Sequence, residues 1–417
     1  MSFEVKYQQL DEIADVIDSL HITPNYSETG IPMVRCVDLN YGVLKLDSTR
    51  KVSLDVYNKY SKKYAPKKND IIITRVGANF GDTSYVGEID FCLGQNTAAI
   101  IPHINKRYVY YVLNSQYGRQ KMSEAVAGAA QPTLSLKAIR NLDIPRLDGD
   151  MENKVSEILG NLDDKIDLNS QTNQTLEEMA QAIFKSWFVD FDPVKAKMNG
   201  EQPEGMDTAT ASLFPEKLVE SELGLIPEGW KASSMGEHFN ITMGQSPKGE
   251  TYNEDGEGIA FFQGRRDFGF RYPDVRVYTT DPKRYAKAGD TLISVRAPVG
   301  DKNMADIDCC IGRGVAAIKH KSGSRSFTYS FVSHIEKKLS DSGSSGTVFS
   351  SINQNELKKF SFVAPPQALI EAFHKLVDPI DQKVQVLSGE IKSLSELRDT
   401  LLPKLLSGEI ELAETTI

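Results

Sequence analysis

The chain has 417 residues, of which 40% are hydrophobic, 9% aromatic and 25% charged; these proportions exclude a disordered or collagen-like polymer and suit two or three globular domains. Its formal charge is −9, from 48 Lys and Arg against 57 Asp and Glu, which excludes a uniformly basic nucleic-acid protein. The acidity is local, however: residues 151–228 hold 6 basic and 16 acidic side chains, whereas residues 1–150 carry +1, residues 229–366 carry +4 and residues 367–417 carry −4, and distribution sets an electrostatic footprint more than the total does.

In chain order, the opening MSFEVKYQQLDEIADVI carries acids early and no apolar core, so no secretory leader is expected. No run approaches the roughly 18 apolar residues of a spanning helix. Four cysteines, Cys36, Cys92, Cys309 and Cys310, lack C-x-x-C spacing and read as buried reduced thiols of a cytoplasmic protein. Residues 1–150 read as a mixed α/β domain, with a β-branched run at 71–77 and a helix over 106–124 ahead of the loop VAGAAQPTLS. A long helix over 151–193 follows. Its positions Leu159, Leu162, Ile166, Asn169, Asn173, Leu176, Ala180, Ile183 and Trp187 advance by three and four, as a heptad stripe does. Asp192-Pro193 ends it. Residues 194–228, rich in Pro, Gly and acids, read as an exposed crossover. Residues 229–366 return to the mixed pattern, with TLISVRAPVG at 291–300, a helix over 326–343 and the loop GSSGTVFSS. A second stripe, Val377, Ile380, Val384, Leu387, Ile391, Leu394, Arg398, Leu401 and Leu405, marks a long helix over 367–410, with Pro379 at a start or a kink. Residues 411–417 form a tail.

The second half repeats the first at an offset of 218 residues. Asp90, Cys92 and Gly94 map to Asp308, Cys310 and Gly312; Ala98-Ala99-Ile100 maps to Ala316-Ala317-Ile318; Asp163-Asp164-Lys165-Ile166 maps to Asp381-Gln382-Lys383-Val384. A unit this long is no solenoid repeat; it is a duplicated domain with a duplicated helix. Each stripe covers roughly 40 residues, about 60 Å of helix, and cannot bury its apolar face alone. The expected fold class is α+β: two globular mixed α/β domains joined by two long antiparallel helices, a coiled coil with an internal pseudo-two-fold repeat and a domain at each end. Where the first stripe has Asn169 and Asn173, the second has Leu387 and Ile391. The asparagines either set register within the seam, or mark a weak spot or face solvent.

No GxxxxGK[ST], GxGxxG, HExxH or GxSxG motif occurs, nor the Asn/Asp-Pro-Pro-Tyr/Phe signature of amino-group methyltransferases, and the six histidines are scattered. No catalytic residue and no metal site are expected. The chemistry lies in polar, glycine-rich loops. Residues 244–276 interleave Arg, Gln, aromatics and Gly. Arginine and glutamine are bidentate readers of guanine and adenine edges, and lysines and backbone amides suit phosphates. The DNA-binding candidates there are Gln245, Ser246, Lys248, Gln263, Arg265, Arg266 and Arg271. In the first half they are Arg35, Arg75, Asn79, Gln95 and Asn96. Gln95-Asn96 stand where Arg313-Gly314 stand, as two similar domains reading different targets need, and as drift after duplication would also give. On the acidic rod, Phe184, Trp187, Phe188 and Phe191 form either a docking patch for a partner subunit or a local core.

DDKIDLNSQTNQTLEEMAQAIFKSWFVDFDPV at 163–194 resembles the central conserved region of the specificity subunit of type I restriction-modification systems. ELGLIPEGW at 222–230 resembles the entry to that family's second recognition domain, ELRDTLLPKLLSGEI at 396–410 resembles its distal conserved region, and GQSPKGETYN with FFQGRRDFGF is similar to one class of its recognition domains. The resemblance covers the whole chain in the right order. It implies two target-recognition domains, 1–150 and 229–366, each reading half of a bipartite site on double-stranded DNA. It implies that the helix pair sets the spacer and docks two modification subunits. The chain itself would bind no cofactor: S-adenosylmethionine would belong to the modification subunits, which methylate adenine N6, and ATP to the restriction subunits, which translocate and cleave DNA. It would be a non-catalytic, cytoplasmic protein without membrane contact. The alternative is a coiled-coil scaffold with duplicated ligand-binding domains and no DNA role. That alternative accounts for the rod and the acidity and leaves the matched but divergent loops unexplained.

Overall fold

The computed structural model describes residues 6–126, 132–341, 351–407 and 409–410, so most of both glycine-rich loops and the 411–417 tail lie outside the described residues. The chain divides into two compact units, Met1–Leu168 with Ile391–Ile417, and Asn169–Glu390.

In the first unit, Ile71, Ile72 and Ile73 are all fully buried, because the strand Ile71–Thr74 is covered on both faces. Ile71 and Ile73 belong to a cluster with Tyr110, Tyr111 and Leu159, whereas Ile72 belongs to another with Val34, Phe91 and Leu93. That is the two-residue alternation of a strand. The antiparallel sheet runs in the order Ala14–Asp18, Thr97–Pro102, Ile71–Thr74, Thr83–Tyr85. A smaller sheet pairs Ile31–Val34 antiparallel with Lys51–Val52 and parallel with Cys92–Leu93. The helix expected over 106–124 is two helices, Lys106–Asn114 and Gln116–Val126. Ser115 separates them: its backbone is extended, and its hydroxyl donates to the Val112 carbonyl at 2.7 Å and accepts the Gly118 amide at 3.1 Å.

The second unit repeats this plan. Phe239–Met243, Val315–His320, Thr291–Ser294 and Lys302–Met304 form a sheet of the same order and sense. Ile259–Phe262 pairs parallel with Cys309–Ile311, as Ile31–Val34 does with Cys92–Leu93. Leu292 and Ile293 again face opposite cores, and the helix Arg325–Asp341 covers one of them. Cys92, Cys309 and Cys310 are buried free thiols in these strands and Cys36 is half-buried. Burial pushes the thiols of Cys92 and Cys309 up to about 12, so neither is a thiolate nucleophile.

Both long helices have 40 residues, Gly149–Phe188 and Gln367–Leu406, and in each unit their segments pack antiparallel. In the first unit Val155 and Leu159 share a core with Leu402, Leu405 and Leu406, and Asp163 pairs with Arg398 at 2.9 Å. In the second, Asn173 donates to Ser388 at 3.2 Å, and Ala180, Phe184 and Trp187 pack on Leu369, Ile370, Phe373 and Val377. The seam is narrower than the stripe suggests. Leu159, Val384 and Leu387 are buried, whereas Leu162, Ile166, Leu176, Ile183, Ile380, Ile391, Leu394 and Leu401 are only half-buried. Asn169 and Asn173, at 2% and 1% exposure, lie inside the seam and do not face solvent.

Three local expectations change. The first long helix ends at Phe188; Phe191 then takes a left-handed backbone, and Pro193 opens a new helix, Asp192–Met198, where its fixed φ is an asset. Pro379 lies inside the second long helix, on an exposed position where the lost amide donor costs least. The 194–228 segment is no bare linker: it holds the helix Thr208–Ser212 and the hairpin Leu218–Ser221 with Gly224–Pro227. Val194 and Phe214 anchor it in the core of the second unit.

Candidate nucleic-acid interface

In the second unit three turns meet at one end of the sheet. One follows Ile259–Phe262 and carries Gln263, Arg265 and Arg266; one follows Thr291–Ser294 and carries Arg296; one precedes Val315–His320 and carries Arg313. Main-chain hydrogen bonds tie them together. The Gly312 amide donates to the Phe262 carbonyl at 2.8 Å, Gly314 to Gln263 at 3.1 Å, and Val295 to Gly314 at 2.9 Å. Only glycine allows the closest approach, since a Cβ on Gly314 would stand 2.6 Å from the Gln263 carbonyl oxygen. The Gln245 amide donates to Ile311 at 2.9 Å, and the Ser246 hydroxyl accepts the Arg313 amide at 3.2 Å.

The turns enclose a cleft of about 290 Å³ whose lining includes Ser246, Gln263, Arg265, Arg266, Ser294, Arg296 and Arg313 and no carboxylate. Arg265 is paired with Asp301. Arg266, Arg296 and Arg313 are exposed and have no ion-pair partner among the described residues. Unpaired guanidiniums beside an amide and two hydroxyls can bind phosphate or the hydrogen-bonding edge of a base. A neighbouring cavity of about 350 Å³ shares Gln263 and Arg266 and adds Tyr252, Phe261 and Arg276.

The corresponding turns of the first unit repeat two of these main-chain ties and carry neutral side chains beside Arg35 and Arg75, each of which is paired with a carboxylate. The Gly94 amide donates to Val34 at 2.7 Å and the Arg75 amide to Asn96 at 2.8 Å. Asn79 and Asn96 are exposed and Gln95 is half-buried. Arg35 is held by Asp38, whose carboxylate raises the guanidinium's affinity for its proton. The Cys36 thiol donates to the Asn96 carbonyl at 3.3 Å, and burial raises it above the ordinary range.

The structure therefore brings Ser246, Gln263, Arg265 and Arg266 into one site, with Gln245 at its margin. Lys248 is exposed on the adjoining turn, 3.7 Å from Glu250, and does not line the cleft. Two candidates are corrected. Arg75 turns inward, paired with Asp18 and donating to the Leu134 carbonyl at 3.2 Å. Arg271 is 2% exposed, clamped between Glu177 and Asp381 with its guanidinium 3.7 Å from the centre of the Tyr329 ring. The proposed docking patch is likewise corrected. Phe184, Trp187, Phe188 and Phe191 are 2–8% exposed and pack on Phe373, Phe214, Phe327 and Trp230; rings in a closed core offer no surface to a partner.

Arg296 and Arg313 are missing from the sequence candidates, although the 218-residue offset already set Arg313 opposite Gln95. Among the described residues no cluster of His, Cys, Asp or Glu could hold a metal ion, and no helix is long and apolar enough to cross a membrane.

Comparison with known proteins adds the following. The family profile of the type I restriction modification DNA specificity domain matches residues 4–178 and again 227–394. A Methanocaldococcus jannaschii chain assigned as the MjaX type I restriction enzyme specificity subunit is 28% identical, across 97% of this chain and 93% of that one. The HindI specificity subunit of Haemophilus influenzae is 28% identical, across 84% and 88%. The crystal structure of a type I restriction-modification S subunit from M. genitalium superposes with a TM-score of 0.58 at 17% identity, covering 98% of this chain and 97% of that chain.

Proposed function

The chain belongs to the type I restriction-modification DNA specificity family, and from that membership we propose that its two units each read one half of a bipartite DNA site. In this role it is the non-catalytic recognition subunit: it binds double-stranded DNA, directs adenine-N6 methylation by modification subunits and directs cleavage by restriction subunits. S-adenosylmethionine and ATP are bound by those partners, and the assembly works in the cytoplasm.

One observation carries the reading. The same fold occurs twice, with two of the main-chain ties between its turns repeated, and the side chains presented there differ: Gln263, Arg265, Arg266, Arg296 and Arg313 in the second unit, Arg35, Asn79, Gln95 and Asn96 in the first. A repeated frame with divergent polar tips is what two independent half-site readers require, because base contacts specify sequence while the frame only positions them. The mechanism follows from the residues. Guanidiniums of Arg266, Arg296 and Arg313 neutralise phosphates or pair with guanine edges, and the Gln263 amide suits adenine.

The test is methylation sequencing in a methyl-free host carrying this gene with its modification-subunit gene, against the same host without this gene. A bipartite N6-methyladenine motif that requires this gene is expected, and exchanging residues 229–366 for those of a relative should change one half-site alone. A motif independent of this gene would overturn the proposal.

A further inference from the structure

Arg265 and Arg266 sit at the start of a loop that runs to Arg276 and is folded on itself. Arg276 pairs with Asp267, the Asp274 amide donates to Asp267 at 2.8 Å and the Gly269 amide to Tyr272 at 3.2 Å. Its tip is fastened elsewhere. The Arg271 carbonyl accepts the Met304 amide at 2.8 Å, and Asn303 donates to the Gly269 carbonyl at 2.9 Å. The Arg271 side chain, fully buried, joins Glu177 of the first long helix to Asp381 of the second. One loop thus touches the arginine cleft at its base and both long helices at its tip.

The first unit has the same arrangement in different chemistry. Asp163 is the repeat partner of Asp381, and Tyr111 that of Tyr329. The loop after Cys36–Asp38 places the Gly42 carbonyl on the Tyr85 amide at 3.0 Å, matching Arg271 on Met304. The residue before it, Tyr41, reaches Asp163 with its hydroxyl at 3.4 Å. Arg398, over the Tyr41 ring at 4.2 Å, completes the cluster. Both loops have been tied to the equivalent aspartate by unrelated side chains.

We infer that Arg271 and Tyr41 are positioning residues for DNA reading: each fixes the tip of its recognition loop to the buried aspartate of a long helix, Asp381 or Asp163. The inference rests on the half-site reading proposed above. A three-charge cluster is a poor choice for stability alone, since apolar residues of similar volume serve as well or better. What it supplies is a fixed direction and distance, which bidentate contacts to bases need.

The test uses the complex of this chain with its modification subunits, once its half-sites are known. Discrimination is the ratio of modification rates on duplexes with one half-site intact or altered. Arg271→Met with Glu177→Leu and Asp381→Leu removes all three charges together, and an unchanged melting temperature checks the fold. Discrimination at the half-site read by residues 229–366 should fall by about tenfold or more, with the other half-site unaffected. Tyr41→Phe should give the converse, smaller loss. Glu177→Gln keeps the Arg271–Asp381 pair, should give an intermediate loss, and decides the matter if the triple variant does not fold. Unchanged discrimination, or an equal loss at both half-sites, overturns the inference. A native complex without sequence-selective modification overturns the half-site reading instead.

Discussion

Arg266 and Arg271 lie on one loop in opposite surroundings, the first exposed beside the cleft and the second sealed among carboxylates. Arg266→Ala should weaken binding of cognate DNA by about 1–3 kcal/mol, read by fluorescence anisotropy of the assembled complex, with no change in melting temperature. Arg75→Ala should do the reverse and lower the melting temperature, because it leaves Asp18 with His21 alone and removes the donor to the Leu134 carbonyl. The sequence displays both kinds of arginine alike in glycine-rich segments. What separates them is a carboxylate on a distant element, and spacing carries no information about that. His320 gives the residue scale a pH dependence. Burial lowers it to about 4; its Nδ1 accepts the Ser322 amide at 3.1 Å, and its buried Nε2 has no partner among the described residues. The unfolded chain therefore binds a proton that the folded chain refuses, and stability falls as pH drops from about 6.5 toward 4, by at most about 3 kcal/mol. His320→Gln should flatten that part of a urea-denaturation profile against pH.

At the scale of elements, the heptad stripe located the long helices because period is a local property of sequence. Its ends and its buried ridge were not legible. Pro193 opens a helix where it was expected to close one, and Ser115 splits the segment expected as one helix over 106–124. At Ser115 a local hydroxyl bridge from the Val112 carbonyl to the Gly118 amide makes the break, which apolar spacing does not register. The polar centre of the pairing has a measurable consequence. Asn173→Leu replaces one hydrogen bond to Ser388 with apolar contact against the partner helix, and should raise the melting temperature while making the register less unique. Phe184→Ala should cost about 3–5 kcal/mol in urea denaturation, because the ring fills the core of the second unit. Its effect on modification-subunit binding should only track that loss, which distinguishes a core ring from a docking one.

At the scale of the whole molecule, a net charge of −9 coexists with DNA binding because the acids and the reading turns occupy different segments. The salt dependence should therefore reflect a few side chains. Removing Arg266, Arg296 and Arg313 singly should each reduce the slope of log affinity against log salt by about one where the side chain meets a phosphate. The repeat was the most informative feature of the sequence, since one offset predicted two copies of a fold. It already set Arg313 opposite Gln95, but did not show which arginines are left unpaired at the cleft, because that depends on carboxylates from other elements.

The ties between the reading turns run through amides and carbonyls. With Gly312 and Gly314 kept, such hydrogen bonds do not depend on the neighbouring side chains, so Gln263, Arg266, Arg296 and Arg313 can be exchanged without touching the frame. Heredity can then explore target preference at little risk to folding. A library randomised at these four positions should stay largely soluble, and selection for resistance to cleavage at new sites should recover many distinct preferences from a single scaffold.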